Sequence, residues 1–442
     1  MIFTNKNHRG FTLIESLIGS AVFILIAISA YRAYGVLMDA ISLSRAKFAA
    51  TAIANEKLEI IRNLTYADVG IIAGLPSGKI AKNQSVIQGD YIFSITNTIR
   101  NVDDPFDGTI GGSPADTSPA DYKLVDLDIS CTNCKYFRPL KFTTLLAPPG
   151  LETASSNGAL FVRVFDSNGV AIPGASVHIV NADTNPDTII DETTDNQGWV
   201  KIVDAITGTN SYNINATKAG YSSEQTYPIG GLAGDTPSKP DSTVVASVVT
   251  QVSLVIDQLS SITTTTVDAS CAAMPNINYS LTGNKLIGAG VLKYPTHTLA
   301  TDASGTDTTS NLEWDTYQIL LNEASYDFAG ASVFPNFSLL PNENKNVKLV
   351  AVPHLNRALL VSVKDATNIP IDGAIIQLEK TGFNQSKTTS TEGECATPGQ
   401  VFWNGLASGT YTLTVSKQGF QQSATSFDIS ANWTHQNITL NP

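Results

Sequence analysis

Residues 11–30 form an apolar run of about 20 residues broken by a single charged side chain, Glu15. At ~1.5 Å per residue, a helix of that length crosses a hydrocarbon core of ~30 Å. A carboxylate inside such a span is costly, so Glu15 is expected to have a task of its own. A polar leader carrying Lys6, His8 and Arg9 precedes the run and ends at Gly10. Basic residues on that side predict a cytoplasmic leader and an exported remainder. A secretory signal has its small-residue cleavage site after the apolar stretch. Here the small residue stands before it, so the helix is expected to stay with the protein.

The helical pattern continues past the apolar run. Val36, Ala40, Leu43, Ala50, Ala54, Leu58 and Ile61 fall on one stripe at helical spacing, interrupted at Lys47, with Ile41 and Phe48 off it. Arg45, Glu56, Glu59 and Arg62 take the other faces, and Asn63 is the expected stop. A helix over residues 11–63 is ~80 Å long.

The string Gly10-Phe11-Thr12-Leu13-Ile14-Glu15 resembles the class III signal of type IV prepilins and pseudopilins, a likeness that covers residues 5–65. The resemblance implies that a prepilin peptidase cuts after Gly10 and N-methylates Phe11. It implies that Glu15 guides assembly by pairing with a subunit's free amino terminus. It also implies that the first half of the helix packs on other pilin subunits, and the second half on a globular head. Many pilins carry a helix-kinking proline in the apolar run; no proline stands between Phe11 and Asn63.

The remainder reads as β-structure. With 442 residues the chain is too long for one ordinary domain. Tyr91-Ile92-Phe93-Ser94-Ile95-Thr96, residues 122–129 and residues 141–146 are strand-like, which resembles the small sheet of a pilin head. Residues 103–121, rich in Gly, Pro, Asp and Ser, are expected to form an exposed loop. Ala147-Pro148-Pro149-Gly150 begins a linker.

An internal repeat follows. Leu160-Phe161-Val162-Arg163-Val164-Phe165-Asp166 matches Leu359-Leu360-Val361-Ser362-Val363-Lys364-Asp365 at an offset of 199 residues. Gly174-Ala175 meets Gly373-Ala374 at the same offset, and Tyr212 with Lys218-Ala219-Gly220-Tyr221 meets Tyr411 with Lys417-Gln418-Gly419-Phe420. Alternating strands and glycine turns of this kind build a β-sandwich. The units resemble the carboxypeptidase-regulatory-like fold, a transthyretin-like or Ig-like sandwich, which in that family is an accessory module without catalytic residues. The spacing leaves room for one divergent sandwich between them.

The expected fold is therefore α+β and multidomain: a long transmembrane pilin helix with a small β-sheet head, then tandem all-β sandwiches. The expected segments are a leader at 1–10, the helix at 11–63, the head at 64–150, and sandwiches at 155–256, 262–352 and 356–442.

The four cysteines are Cys131, Cys134, Cys271 and Cys395. An exported chain can hold disulfides. For Cys131-Thr132-Asn133-Cys134 a local disulfide is preferred over a redox motif or a zinc site, because no second pair and no helical pattern accompany it. A Cys271–Cys395 bridge would staple two neighbouring domains.

No Gly-x-Ser-x-Gly, His-Glu-x-x-His or phosphate-cradling loop is present, so no enzyme activity, cofactor or metal is expected. Asp166-Ser167-Asn168-Gly169 and Asp195-Asn196-Gln197-Gly198 lack EF-hand spacing and read as turns. His178 reads as an ordinary strand residue. Trp199, Trp314, Trp403 and Trp433 read as core or domain-seam residues rather than a sugar-binding face. A net charge of −12 argues against nucleic acid as a partner of the ectodomain.

The expected function is a minor pilin or pilin-like subunit of a type IV pilus-like filament, held in the cytoplasmic membrane before assembly and then displayed at the cell surface. Its partners would be prepilin peptidase, other pilins, and a surface or glycan ligand. A pseudopilin of a type II secretion or DNA-uptake machine, and a membrane-anchored glycan-binding adhesin, are the alternatives.

Overall fold

The computed structural model describes residues 12–116, 118–149, 155–389, 395 and 397–442. The leader, Gly10, Phe11 and the Gly150 end of the expected linker lie outside the described residues. Among the described residues one α-helix, α1 (Leu13–Arg62), and a single 3-10 turn at Tyr66–Asp68 lead into 29 strands. The Thr12 hydroxyl oxygen accepts the Glu15 N–H at 3.3 Å and caps the first turn. At the other end the Asn63 N–H bonds back to Glu59 and Ile60. With 50 residues the helix is about 75 Å long.

Four strands follow as an antiparallel sheet in chain order: β1 (Asn83–Gln88), β2 (Tyr91–Val102), β3 (Tyr122–Cys131) and β4 (Leu140–Leu146). Alternation puts Phe93, Ile95, Ile99, Val125, Leu127 and Ile129 in one core with the end of α1. The segment 103–121 is a loop, exposed at 105–107 and 111–115, but it is pinned between those stretches. Asp103 accepts the Ile110 N–H at 3.0 Å, and Ile110 is buried against Ala159 and Val203. Polar turn residues here fold the loop onto a neighbouring sheet, which composition alone does not register.

The first sandwich contains β5 (Gly158–Phe165), β6 (Ser176–Asn181), β7 (Thr188–Thr193), β8 (Trp199–Ala205) and β9 (Gly208–Thr217). Three more strands complete it: β10 (Glu224–Gln225), β11 (Ser242–Val244) and β12 (Val249–Val255). Its sheets are β12-β5-β8 and β10-β9-β6-β7, with β11 also on β9.

The middle unit begins with β13 (Ser260–Val267), β14 (Asn278–Gly283), β15 (Leu286–Gly288), β16 (Val291–Leu292) and β17 (His297–Ala300). It ends with β18 (Thr306–Leu312), β19 (Asp315–Leu321), β20 (Tyr326–Ala331), β21 (Asn336–Leu339) and β22 (Asn344–Pro353). Sheets β18-β13-β22-β20 and β17-β14-β19-β21 enclose its core.

The distal unit has β23 (Arg357–Lys364), β24 (Ile375–Lys380), β25 (Phe383–Thr388) and β26 (Gln400–Leu406). After them come β27 (Gly409–Ser416), β28 (Ser423–Ile429) and β29 (Trp433–Thr439). They form sheets β26-β23-β29 and β25-β24-β27-β28.

All three sandwiches close in the same way. The last strand lies parallel to the first: β12 on β5, β22 on β13 and β29 on β23. After each first strand an aspartate builds the turn. Asp166 accepts the N–H groups of Asn168 and Val170, Asp268 those of Ser270 and Ala272, and Asp365 those of Thr367 and Ile369, all at 2.8–3.0 Å. In each core a buried tyrosine hydroxyl reaches back to a main-chain carbonyl. Tyr212 donates to Ile206, Tyr317 to Glu313 and Tyr411 to Ala407, at 2.7, 2.9 and 2.9 Å. The arrangement is like the tyrosine corner of Ig domains. The middle unit is thus the same architecture written in other residues. Its Cys271 even occupies the left-handed turn position, φ 69°, that Gly169 and Asn368 hold in the other two.

The seams between units carry buried contacts. Head and first sandwich meet through the Ile189 N–H on the Ala73 carbonyl (2.8 Å) and the Arg100–Glu192 pair (3.6 Å). At the next seam Lys293 donates to the Ser223 carbonyl at 2.6 Å and pairs with Glu224 and Glu313. At the last seam Leu360 of β23 is fully buried in the middle core, and Gln400 donates to the Ala331 carbonyl at 2.8 Å.

Two tests follow from the distal sandwich. Gly399 has φ +65°, and a Cβ there would lie 2.5 Å from the Val363 carbonyl oxygen. Gly399→Ala is expected to lower unfolding free energy by at least about 2 kcal/mol, read from the denaturant midpoint. His435 bonds Ser362 at 2.9 Å in a site whose desolvation pushes its pKa down to about 4. The unfolded chain, with its ordinary value near 6.5, binds that proton first. Stability should therefore fall as pH drops from 6.5 towards 4, and a His435→Gln variant should show a shallower fall between pH 6.5 and 5.

Candidate assembly site on the amino-terminal helix

Helix α1 divides into two halves of different character. Every residue from 12 to 38 is exposed, including Leu13, Ile14, Leu17, Ile18, Phe23 and Leu25. That half is long and apolar enough to cross a membrane. From Asp39 onward the head grips the helix. Lys135 pairs with Asp39 at 3.8 Å, and the Tyr91 hydroxyl bonds the Ser42 carbonyl at 3.1 Å. Ala46, Ala50, Ile53, Ala54, Leu58 and Ile61 are then buried against the sheet. Arg62 closes the contact on Thr144 at 3.1 Å.

This corrects the stripe read from the sequence. Val36 and Ala40 are exposed and Leu43 is only half-buried, whereas Ala46 and Ile53 belong to the interface. The buried set follows 46, 50, 53, 54, 58, 61, a tighter helical series than the one that had to step over Lys47. Three alanines at four-residue spacing bring the helix backbone close to the sheet. Small residues are easily overlooked when a stripe is drawn from large apolar ones.

Two hydroxyls of the exposed half are bonded within the helix itself. Ser20 donates back to the Ser16 carbonyl at 2.5 Å and Ser29 to the Leu25 carbonyl at 2.8 Å, so both hydroxyls are masked within the helix. The Glu15 carboxylate has no partner among the described residues. It sits in the first turn, where the free N–H groups and the helix dipole favour negative charge. The geometry is an apolar rod with one anionic site near its tip.

The cysteines lie elsewhere. Cys131 and Cys134 are bonded to each other just past β3, Cα–Cα 5.5 Å. The enclosed Asn133 ties that turn down by accepting the Ile92 N–H and donating to the Asp90 carbonyl. Cys271, in the first turn of the middle sandwich, is bonded to Cys395 of the distal one, also at 5.5 Å. Asp195 accepts the Gln197 and Trp199 N–H groups at 2.8 and 2.9 Å, the geometry of a turn. Trp403 is core, and Trp433 is half-buried at the middle–distal seam.

Residues 358–441 match the family model of the carboxypeptidase regulatory-like domain. No curated protein matches the sequence. Among solved structures the chain is similar to the Bacillus anthracis TIE protein, at 14% identity over 82% of this chain and 73% of that one, with a TM-score of 0.20. It is similar to the Streptococcal ancillary pilin at 13% identity (64% and 98% covered, TM-score 0.19). It is similar to BcpA, the major pilin subunit of Bacillus cereus, at 12% identity (64% and 99%, TM-score 0.17).

The division of the helix is testable. Ala50 is fully buried on the sheet, so Ala50→Leu is expected to destabilise the head by about 1–3 kcal/mol. Phe48 is 79% exposed, and Phe48→Ser should leave the melting temperature within about a degree.

Proposed function

We propose that this chain is a pilin-like assembly subunit of a type IV filament, processed after Gly10 and N-methylated on Phe11. Its working parts would be the leader (1–10), helix (11–63), head (64–150) and sandwiches at 155–256, 262–352 and 356–442. The observation that carries the reading is the exposed half of α1, whose apolar surface over residues 12–30 holds a carboxylate, Glu15, with no partner among the described residues. In the membrane that surface is covered by lipid. In a filament it is covered by the same segment of other subunits.

The carboxylate supplies the register. Placing it unpaired in hydrocarbon costs about 3 kcal/mol. The amino terminus freed by cleavage is a cation at the same depth on a neighbouring helix. Pairing the two offsets both desolvation costs at one axial offset only, so the bundle is selected in that offset. The head, held to the second half of the helix, is carried outward. The sandwiches extend from the head as the displayed part, and the mechanism is packing rather than catalysis.

Gly10→Leu is expected to block processing, so that intact-mass measurement finds the leader still attached. Glu15→Ala should be cleaved normally yet enter sheared filaments at least tenfold less than the parent, a pairing of about 1.4 kcal/mol or more. Normal incorporation of Glu15→Ala would exclude the pairing.

A further inference from the structure

The seam between the middle and distal sandwiches holds a cleft of about 260 Å³ that the assembly reading does not use. We propose that it binds one neutral hexopyranose unit, such as the end of a glycan. The inference stands independently of how the helix assembles.

The floor is aromatic. Phe328 of β20 and Trp433 of β29 lie 6.0 Å apart, centroid to centroid. Phe328 is buried and Trp433 half-buried. The indole N–H donates to the Phe328 carbonyl at 2.9 Å. That bond joins the two sandwiches and fixes the ring, leaving the indole only its π-face to offer a ligand. A fixed apolar face suits the C–H face of a sugar ring, because little freedom is lost on stacking.

The rim is polar and held in place. Asp327, whose side chain is 4% exposed, holds His354 Nδ1 at 2.7 Å. The His354 backbone N–H is bonded to the Ser325 carbonyl at 3.0 Å. The imidazole is thereby oriented, and its Nε2 has no partner among the described residues. Glu323 uses one oxygen to accept from Asn278 at 2.9 Å. Its other oxygen, the Tyr326 hydroxyl and the Asn432 amide have no partner among the described residues. Donors and acceptors thus border one aromatic face, as a polyol requires.

Other ligand classes fit less well. No lysine or arginine lines the cleft, so an anion finds no counter-charge. A quaternary ammonium is held in a cage of ring faces, and of the aromatic rings that line the cleft Phe328 is buried, leaving Tyr326 and Trp433. The volume lies below the ~300 Å³ at which pockets for drug-sized ligands begin, so the cleft takes a single ring.

The test uses the full chain in amine-oxide micelles, which carry no sugar head group. Saturation-transfer NMR and titration are run with methyl β-glucoside, methyl β-galactoside, methyl α-mannoside and N-acetylglucosamine. At least one is expected to bind in the millimolar range. Asn432→Ala, an exposed substitution that should not shift the melting temperature, is expected to weaken it roughly three- to tenfold. Trp433→Phe keeps a ring and should weaken it by a similar factor. Silence from all four sugars overturns the proposal. So does binding unchanged in both variants, or a preference for butyltrimethylammonium over every sugar.

Discussion

A continuous helix with two incompatible environments is the constraint on which this molecule depends. Its last third is locked to a four-stranded sheet by alanines that leave no gap. Its first half is not covered by any other of the described residues. Backbone hydrogen bonding is satisfied along the whole length, so the rod needs only an apolar partner, lipid or helix, to be stable outside water. The Ser20 and Ser29 hydroxyls are folded back onto carbonyls one turn earlier.

Beyond the head, stability rests on a closure repeated three times. A parallel first–last pair, an aspartate turn and a buried tyrosine recur in each sandwich. Each device satisfies main-chain groups that a sandwich would otherwise strand at its corners. The units are not independent beads. Leu360 completes the middle core from the distal sandwich, and Lys293 of the middle unit is shared between carboxylates on both sides of its seam. The cleft under Trp433 exists because two sandwiches meet there, and neither unit alone has both the floor and the rim.

Much of this was legible because the signals were local and periodic. The helix and its stop at Asn63 follow from spacing and a cap. The two outer sandwiches follow from strings repeated at one offset. The middle unit was legible only weakly, because its devices use different letters. Asp268-Ala269-Ser270-Cys271 replaces an aspartate–glycine turn, and Tyr317 lies off the offset of Tyr212 and Tyr411. The helix stripe was misplaced because alanine gives a weak pattern, although its small size is what allows close packing. The segment 103–121 is an exposed loop in part, as its composition suggests, but the caps made by Asp103 and Asp116 and the burial of Ile110 on a neighbouring sheet left no mark in that composition.

An apolar rod bearing one carboxylate, with β-sandwiches after it, can be read directly from the residues in order. Such properties reside in residues close together along the chain, where periodicity and composition act directly. Which helix residues meet the sheet, and that Cys271 lies beside Cys395, 124 residues on, emerge from the packing of distant segments. So does the placing of Trp433 against Phe328 at a seam. Those pairings depend on how separately folded surfaces fit together, and that fit is a matter of shape, which no stretch of either strand encodes alone.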